Sequence, residues 1–352
     1  MRTVLDLDDL TPENATRIGG AKIGRLVEMA AAGASVPKGF VLGVDAYLRH
    51  CVESGLDLVV DSVLGELPPE PSDAEINAAS AEIRRTFAGA ALPTDLAQAI
   101  TDSYERLCVR CTDINLPVAV RSSATGEDGA HSSFAGIFDT YLGVTGAQAV
   151  IESVRNCWGS LFTTRALAYR HRNGISHRDM PMAVGVLELI HAKSSGVAFS
   201  VHPVTGKRDR IVVEGSWGWG EAIVQGLVTP DHAEIGKADL RALRYDTARK
   251  NVVSAFDFQA GRVVEREMPE GLREARVLDD EELHAIAEAV RRIEEQYGHP
   301  VDVEWVVSKH RVTGGPVHIV QSRPVTVSGD DTQPHGWNPA AFATKYVFQG
   351  KR

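Results

Sequence analysis

The hydrophobic pattern changes its period once along the chain, and this limits the fold more than any other feature. Before residue 181, apolar side chains recur at helical spacing: Ile23, Leu26, Val27 and Ala30, then Ile76, Ile83 and Phe87, then Leu96, Ile100, Tyr104 and Leu107, then Val150, Val154, Cys157, Trp158 and Leu161. From Met182 the pattern turns to short strand-like runs, Met182–Ile190, Gly196–Val201 and Ile211–Glu214, with shorter ones between Ala233 and Arg266. A last helix is expected over Asp279 to Tyr297, with an Asp cap and Gly298 as its stop, followed by strands at Val301–Val307 and Val317–Gln321. Two blocks of different period predict an α/β chain of the α+β kind. We expect a helix-rich lobe over residues 1–181, a β-rich lobe over 182–327, and a linker and tail over 328–352.

Composition excludes several classes. Hydrophobic residues make up 43% of the 352, too many for a disordered scaffold. The formal net charge of −10 argues against a surface that holds nucleic acid by bulk phosphate attraction. Asp6, Asp8 and Asp9 stand where a signal peptide would have its apolar core, and no uninterrupted apolar run reaches ~18 residues, so a cytoplasmic chain with no membrane partner is expected. Of the four cysteines, Cys108 and Cys111 form a CxxC with no second pair to complete a zinc site; they read as the packed end of a helix. Among the histidines, His177 and His202 read as a surface and a turn residue.

Chemistry concentrates in a few places. Side chains two apart on a strand share a face, so Asp302 and Glu304 point one way while Val301, Val303 and Trp305 point the other. Gln321 and Arg323 are related in the same manner. If the two strands pair, two carboxylates, an amide and a guanidinium converge, which would suit Mg²⁺ and a phosphate; a solvated sheet face would carry the same spacing. The segment from Arg121 to Gly136 leaves the end of a strand and brings Ser122, Ser123, Thr125 and flexible glycines, a composition that can cradle an anion or simply form a polar loop. Lys22, just after Gly19-Gly20, would stand in the first turn of a helix, where the helix dipole favours negative charge. Glu188 is the lone charge in an apolar run and could accept from an exocyclic amine or face solvent. No GxxxxGK[ST] phosphate loop is present, nor a GxGxxG opening a βαβ unit.

These stretches gain weight from their order. Gly19-Gly20-Ala21-Lys22, Val118–Thr125, Ser133–Gly136, Gly196–Gly206, Trp219-Gly220-Glu221, Asp302-Val303-Glu304-Trp305 and Gln321-Ser322-Arg323-Pro324 occur in the sequence seen in one family. Over residues 15 to 327 the chain resembles the N-terminal ATP-binding domain of phosphoenolpyruvate synthase, pyruvate phosphate dikinase and rifamycin phosphotransferase. The resemblance implies an ATP-grasp-type, two-lobed nucleotide clamp with ATP and Mg²⁺ as cofactors. It places Lys22, Arg121 and Arg323 as the catalytic, phosphate-binding cations and Asp302, Glu304 and Gln321 at the metal. Ser122, Ser123, Thr125, Gly136 and Glu188 join the nucleotide-binding set. Glu188 and Ile137 depart from the Gln common at their positions.

In relatives such a domain phosphorylates a histidine of a separate swivelling domain, releasing AMP and phosphate. The stretch after Arg323-Pro324 is too short for that domain and an acceptor site, so a partner subunit carrying the phosphohistidine and binding the small-molecule acceptor is expected, an arrangement similar to the ATP-binding subunit of phenylphosphate synthase. A phosphoenolpyruvate synthase-like or rifamycin phosphotransferase-like subunit, a self-sufficient ATP-grasp ligase, and a nucleotide-sensing module docking through Trp337, Phe342, Tyr346 and Phe348 are the competing readings.

Overall fold

The computed structural model describes residues 3–124, 128–129, 132–133, 137–220, 223, 226–257 and 262–325. The chain divides into two units, Met1–Val27 with Lys38–Leu189, and Glu28–Pro37 with Ile190–Arg352.

The first unit holds strands β1 (Val4–Asp6), β2 (Gly39–Leu42), β3 (Val118–Ala124), β4 (Asp128–Gly129), β5 (Ser132–Ser133), β6 (Thr140–Val144) and β7 (Met182–Glu188). β4 and β5 pair with each other; the rest form an antiparallel sheet in the order β1-β2-β7-β3-β6. Around it run helices α1 (Pro12–Ala31), α2 (Val44–Glu53), α3 (Leu56–Gly65), α4 (Asp73–Gly89), α5 (Thr94–Arg110), α6 (Ala147–Gly159) and α7 (Thr164–Asn173). Ser72 and Glu75 start α4 with a reciprocal capping box, Glu75 N–H donating to Ser72 Oγ at 3.3 Å and Ser72 N–H to Glu75 Oε2 at 2.8 Å.

One face of this sheet carries Phe40, Leu42, Val118, Val120, Val184 and Val186. These join Phe87 of α4, Ile100 of α5 and Trp158 of α6 in a closed core. Each such fully buried apolar side chain contributes about 1.5–3 kcal/mol of transfer free energy. The opposite face carries Ala119, Arg121 and Ser123, and here α1 lies close: a β carbon added at Gly185, the cross-strand partner of Arg121, would sit 2.5 Å from Ile23 Cδ1. With helices on both faces, the central strands are apolar on both sides.

In the second unit, β8 (Ala192–Phe199), β9 (Arg210–Trp217), β10 (Asp231–Gly236), β11 (Ala242–Asp246), β14 (Val301–Ser308) and β15 (His318–Pro324) form an antiparallel sheet ordered β11-β10-β9-β8-β14-β15. Between them in sequence come the hairpin of β12 (Val252–Asp257) and β13 (Arg262–Glu267), the short α8 (Glu270–Arg273) and α9 (Asp280–Tyr297). Asp279 and Glu282 cap α9 reciprocally, and Gly298 ends it at φ 68°. Leu283, Ile286, Val290 and Ile293 of α9 and Val301, Val303 and Trp305 of β14 are buried.

Two boundaries differ from expectation. The run beginning at Met182 pairs with β2 and β3, so it belongs to the first sheet, and the division falls after Leu189 rather than at residue 181. An apolar strand reads alike in either sheet; only its hydrogen-bonding partners decide. Residues 28–37 group with the second unit, where Gln296 Nε2 donates to the Glu28 carbonyl at 3.1 Å and Ile319 N–H to the Ser35 carbonyl at 2.8 Å. The expected tail, 328–352, lies outside the described residues.

The second unit also contains a buried ion pair. Lys250 is fully buried and donates to Asp231 at 2.5 Å, while Tyr245 Oη and the Ala248 and Val277 N–H groups also donate to that carboxylate at 2.7–2.9 Å. Four donors satisfy one buried carboxylate, which is the condition for such a pair to be tolerated.

Candidate functional site

Gly20 creates the position of Lys22. At φ 74° and ψ 178° it breaks α1 into two helical stretches, so Lys22 stands in the first turn of the second. That conformation is nearly restricted to glycine. It also permits close approach to β3, because a β carbon at Gly20 would lie 2.1 Å from the Ser123 carbonyl oxygen. The restarted helix is capped across the same contact: Ile23 N–H donates to Ser123 Oγ at 3.3 Å. The start of a helix bearing Lys22 is thus docked on the sheet face that carries Arg121 and Ser123.

Period-two alternation separates the remaining first-unit residues. Ser122 is fully buried and shares the opposite, core-facing side with Val184, its cross-strand partner. Glu188 pairs with Val118 on that same side and neighbours Cys111, whose thiol burial, aided by the Glu188 charge, pushes up to about 11. The structure therefore does not bring Ser122 and Glu188 onto the face of Arg121, and Ser123 spends its hydroxyl on the helix cap. Thr125 and Gly136 lie outside the described residues.

The second-unit residues do converge. β14 and β15 pair antiparallel with Asp302 opposite Arg323 and Glu304 opposite Gln321, so all four share one face, and Arg323 Nη2 comes within 3.9 Å of Glu304 Oε1. A bulge follows Glu304: Trp305 pairs with Ile319, leaving Val320 as the extra residue. Both Trp305 and Ile319 are fully buried. Gly215 makes room for this tryptophan, since a β carbon there would lie 2.8 Å from the Trp305 Cη2. This glycine within β9 thus serves packing.

Cross-strand register extends the Glu304 face further than the sequence shows. Glu304 is opposite Val197, Val197 opposite Glu214, and Glu214 opposite His232. Glu214 and His232 are 4% and 6% exposed, with His232 Nδ1 3.6 Å from Glu214 Oε1, and burial holds the Glu214 carboxyl above its usual range against the opposing His232. Beside them Arg210 Nη1 bonds Glu234 at 2.7 Å. His202, read from the sequence as a turn residue, accepts the Val204 and Thr205 N–H groups on Nδ1 at 3.2 Å. Only pairing places Glu214 and His232 on this face; their spacing carries no such signal.

Two carboxylates and an amide carbonyl on adjacent strands are hard oxygen donors of the kind Mg²⁺ takes when phosphates complete its shell, so the residues fit that ion. Among the described residues no three His, Cys, Asp or Glu side chains gather in a metal-holding group. No helix among them is long and apolar enough to cross a membrane.

The first unit thus offers Lys22 at a helix start over the sheet face of Arg121, and the second an acid, amide and guanidinium quartet on one sheet face; each by itself is suited to phosphate groups. Residues 16–339 match the pyruvate phosphate dikinase AMP/ATP-binding domain, and the chain belongs to that family. It is 42% identical over 316 residues to a probable phosphoenolpyruvate synthase of Methanothermobacter thermautotrophicus, covering 90% of this chain and 45% of that one. It is 39% identical over 328 residues to the rifampicin phosphotransferase of Streptomyces sviceus, covering 92% and 36%. The chain thus spans less than half the length of these curated relatives. A solved L-amino acid ligase from Bacillus licheniformis aligns over 78% of this chain and 55% of its own at 10% identity and a TM-score of 0.23, too low to bear on the fold.

Proposed function

We propose that this chain is the nucleotide-binding part of a dikinase-type phosphotransferase, an ATP-grasp-type clamp that uses Mg·ATP to phosphorylate a histidine. The histidine is carried by a partner subunit or a further domain. In the overall reaction ATP, water and the histidine give AMP, inorganic phosphate and one phosphohistidine, which then donates to a small molecule. The observation that carries this reading is the register of β14 and β15, which sets Asp302 against Arg323 and Glu304 against Gln321.

Phosphoryl transfer asks a protein for alignment and charge neutralisation more than for covalent chemistry. Lys22, Arg121 and Arg323 are the cations assigned to the phosphates. Asp302, Glu304 and Gln321 would hold Mg²⁺, which supplies further neutralisation of phosphate charge when bound. Arg323 Nη2 lies 3.9 Å from Glu304 Oε1, with both side chains partly exposed, and its guanidinium would meet a phosphate oxygen beside the carboxylates. The Gly20 break and the Ser123 cap hold the Lys22 helix against β3, so the cation is oriented before any ligand arrives.

The test incubates the chain with labelled ATP, Mg²⁺ and proteins that co-purify with it, then follows acid-labile protein phosphate and the nucleotide product. AMP with a labelled partner supports the proposal; ADP without labelled protein overturns it in favour of a ligase. Adding phenol, pyruvate or rifampicin then identifies the acceptor, phenol being the one that phenylphosphate synthase chemistry requires. Glu304→Ala and Arg323→Ala should each lower turnover on the order of a hundredfold or more with the fold retained. Near-wild-type turnover in both would remove the site.

A further inference from the structure

The helical layer of the first unit contains a second feature that nucleotide binding does not use. Where α3, α4 and α7 meet lies a cavity of about 320 Å³ with Leu64, Leu67, Pro69, Ile76, Leu167 and Ile175 in its wall. Arg170 of α7 completes that wall and is 3% exposed. Its Nη2 donates to the Leu161 carbonyl at 2.6 Å and its guanidinium lies 5.1 Å from the Phe162 ring centroid, while Nη1 is buried and finds no acceptor. Burial pushes this guanidinium down to about 10, still protonated at neutral pH.

A buried cation is ordinarily met by a carboxylate. None is available here: among the described residues the cavity wall has no Asp or Glu, and the carboxylate of Asp61 is bound by Arg178 and by His177, at 3.1 Å from His177 Nε2. The other polar groups cannot replace it. His171 commits its Nε2 proton to the Pro69 carbonyl at 2.9 Å, and His177 points its own at Asp61. Ser176 Oγ accepts the Arg178 N–H at 3.2 Å and keeps its hydroxyl proton to donate.

We propose that this cavity is a binding site for a small monocarboxylate with a compact apolar or aromatic body, its carboxylate paired with Arg170. The volume is at the small end of ligand-binding cavities, and an apolar lining with one charged anchor is their usual make-up. A single guanidinium balances a single negative charge; a phosphate dianion would leave its second charge facing leucine and proline. The site belongs to the first unit alone and does not depend on the phosphotransfer reading.

Thermal unfolding and calorimetric titration of the full chain would test this with benzoate and 3-phenylpropanoate, against benzyl alcohol, benzylammonium and inorganic phosphate. Saturable binding of the carboxylates is expected, with little response to the other three. Arg170→Met should weaken it about tenfold or more, and Ile175→Trp should block it by filling the cavity, while the shift induced by ATP stays unchanged in both. If Arg170→Met does not fold, Ile175→Trp decides. No saturable response to either carboxylate, equal response to benzyl alcohol or phosphate, or binding that survives the filling variant would overturn the proposal.

Discussion

Replacing Gly20 by alanine tests how Lys22 is positioned. The backbone there has φ 74° and ψ 178°, a region in which a side chain costs about 1–3 kcal/mol. The new β carbon would also lie 2.1 Å from the Ser123 carbonyl oxygen, and relieving such overpacking costs about 1–3 kcal/mol more. The total is about 2–6 kcal/mol. Gly55 provides the control: its φ is also positive, at 65°, yet a β carbon would meet nothing within 4 Å, so Gly55→Ala should cost only about 1–2 kcal/mol. Urea unfolding gives both numbers, and hydrogen exchange at the Ile23 amide reports whether its bond to Ser123 has loosened. Equal costs for the two variants, or Gly20→Ala within about 1 kcal/mol of wild type, would refute the claim that close contact with β3 sets the helix start.

Other expectations follow from buried groups. Asp231→Ala strands the fully buried Lys250 ammonium and should cost about 3–5 kcal/mol, whereas Asp231→Leu with Lys250→Met should recover a good part; unfolding midpoints separate the two. Burial, with a smaller push from Arg155, lowers His50 from 6.5 to about 4, so the unfolded chain binds this proton across that window and the native chain does not. Stability should therefore fall as pH drops from 6.5 towards 4, by up to about 1.4 kcal/mol per pH unit from this group. His50→Gln should flatten that slope in urea titrations at several pH values; an unchanged slope would clear His50 of the effect. For the phosphotransfer reading, Glu304→Ala and Arg323→Ala should lose turnover while each variant still unfolds cooperatively, since both side chains are partly exposed on the sheet rather than part of the hydrophobic core.

What could be read in advance was whatever has a local cause. The Asp cap and the Gly298 stop of the helix over Asp279 to Tyr297, and the shared face of Asp302 and Glu304, depend on residues a few positions apart, and the structure shows each. What stayed hidden depends on pairing between distant segments. The strand from Met182 could not declare its sheet, and Ser122 looked like a loop hydroxyl until its pairing turned it into the core. Glu214 reached the Glu304 face only through two ladders, and the Asp231–Lys250 pair joins residues whose sequence context is unremarkable. A sequence reading finds the acids and the arginine; it does not find what holds them level.

The extra residue at Val320 bears on how this sheet could diverge. Ile319, Gln321 and Arg323 have the same parity, so an unbroken ladder would send all three the same way, either stranding an isoleucine among polar groups or driving an arginine into packed hydrocarbon. Because the strand slips by one position between Trp305 and Glu304, its phase resets, and a single short segment serves the interior with its first half and the polar side with its second. Removing one residue there would exchange those two allegiances at once, so the length of this stretch should be under stricter constraint than the identity of Val320 itself.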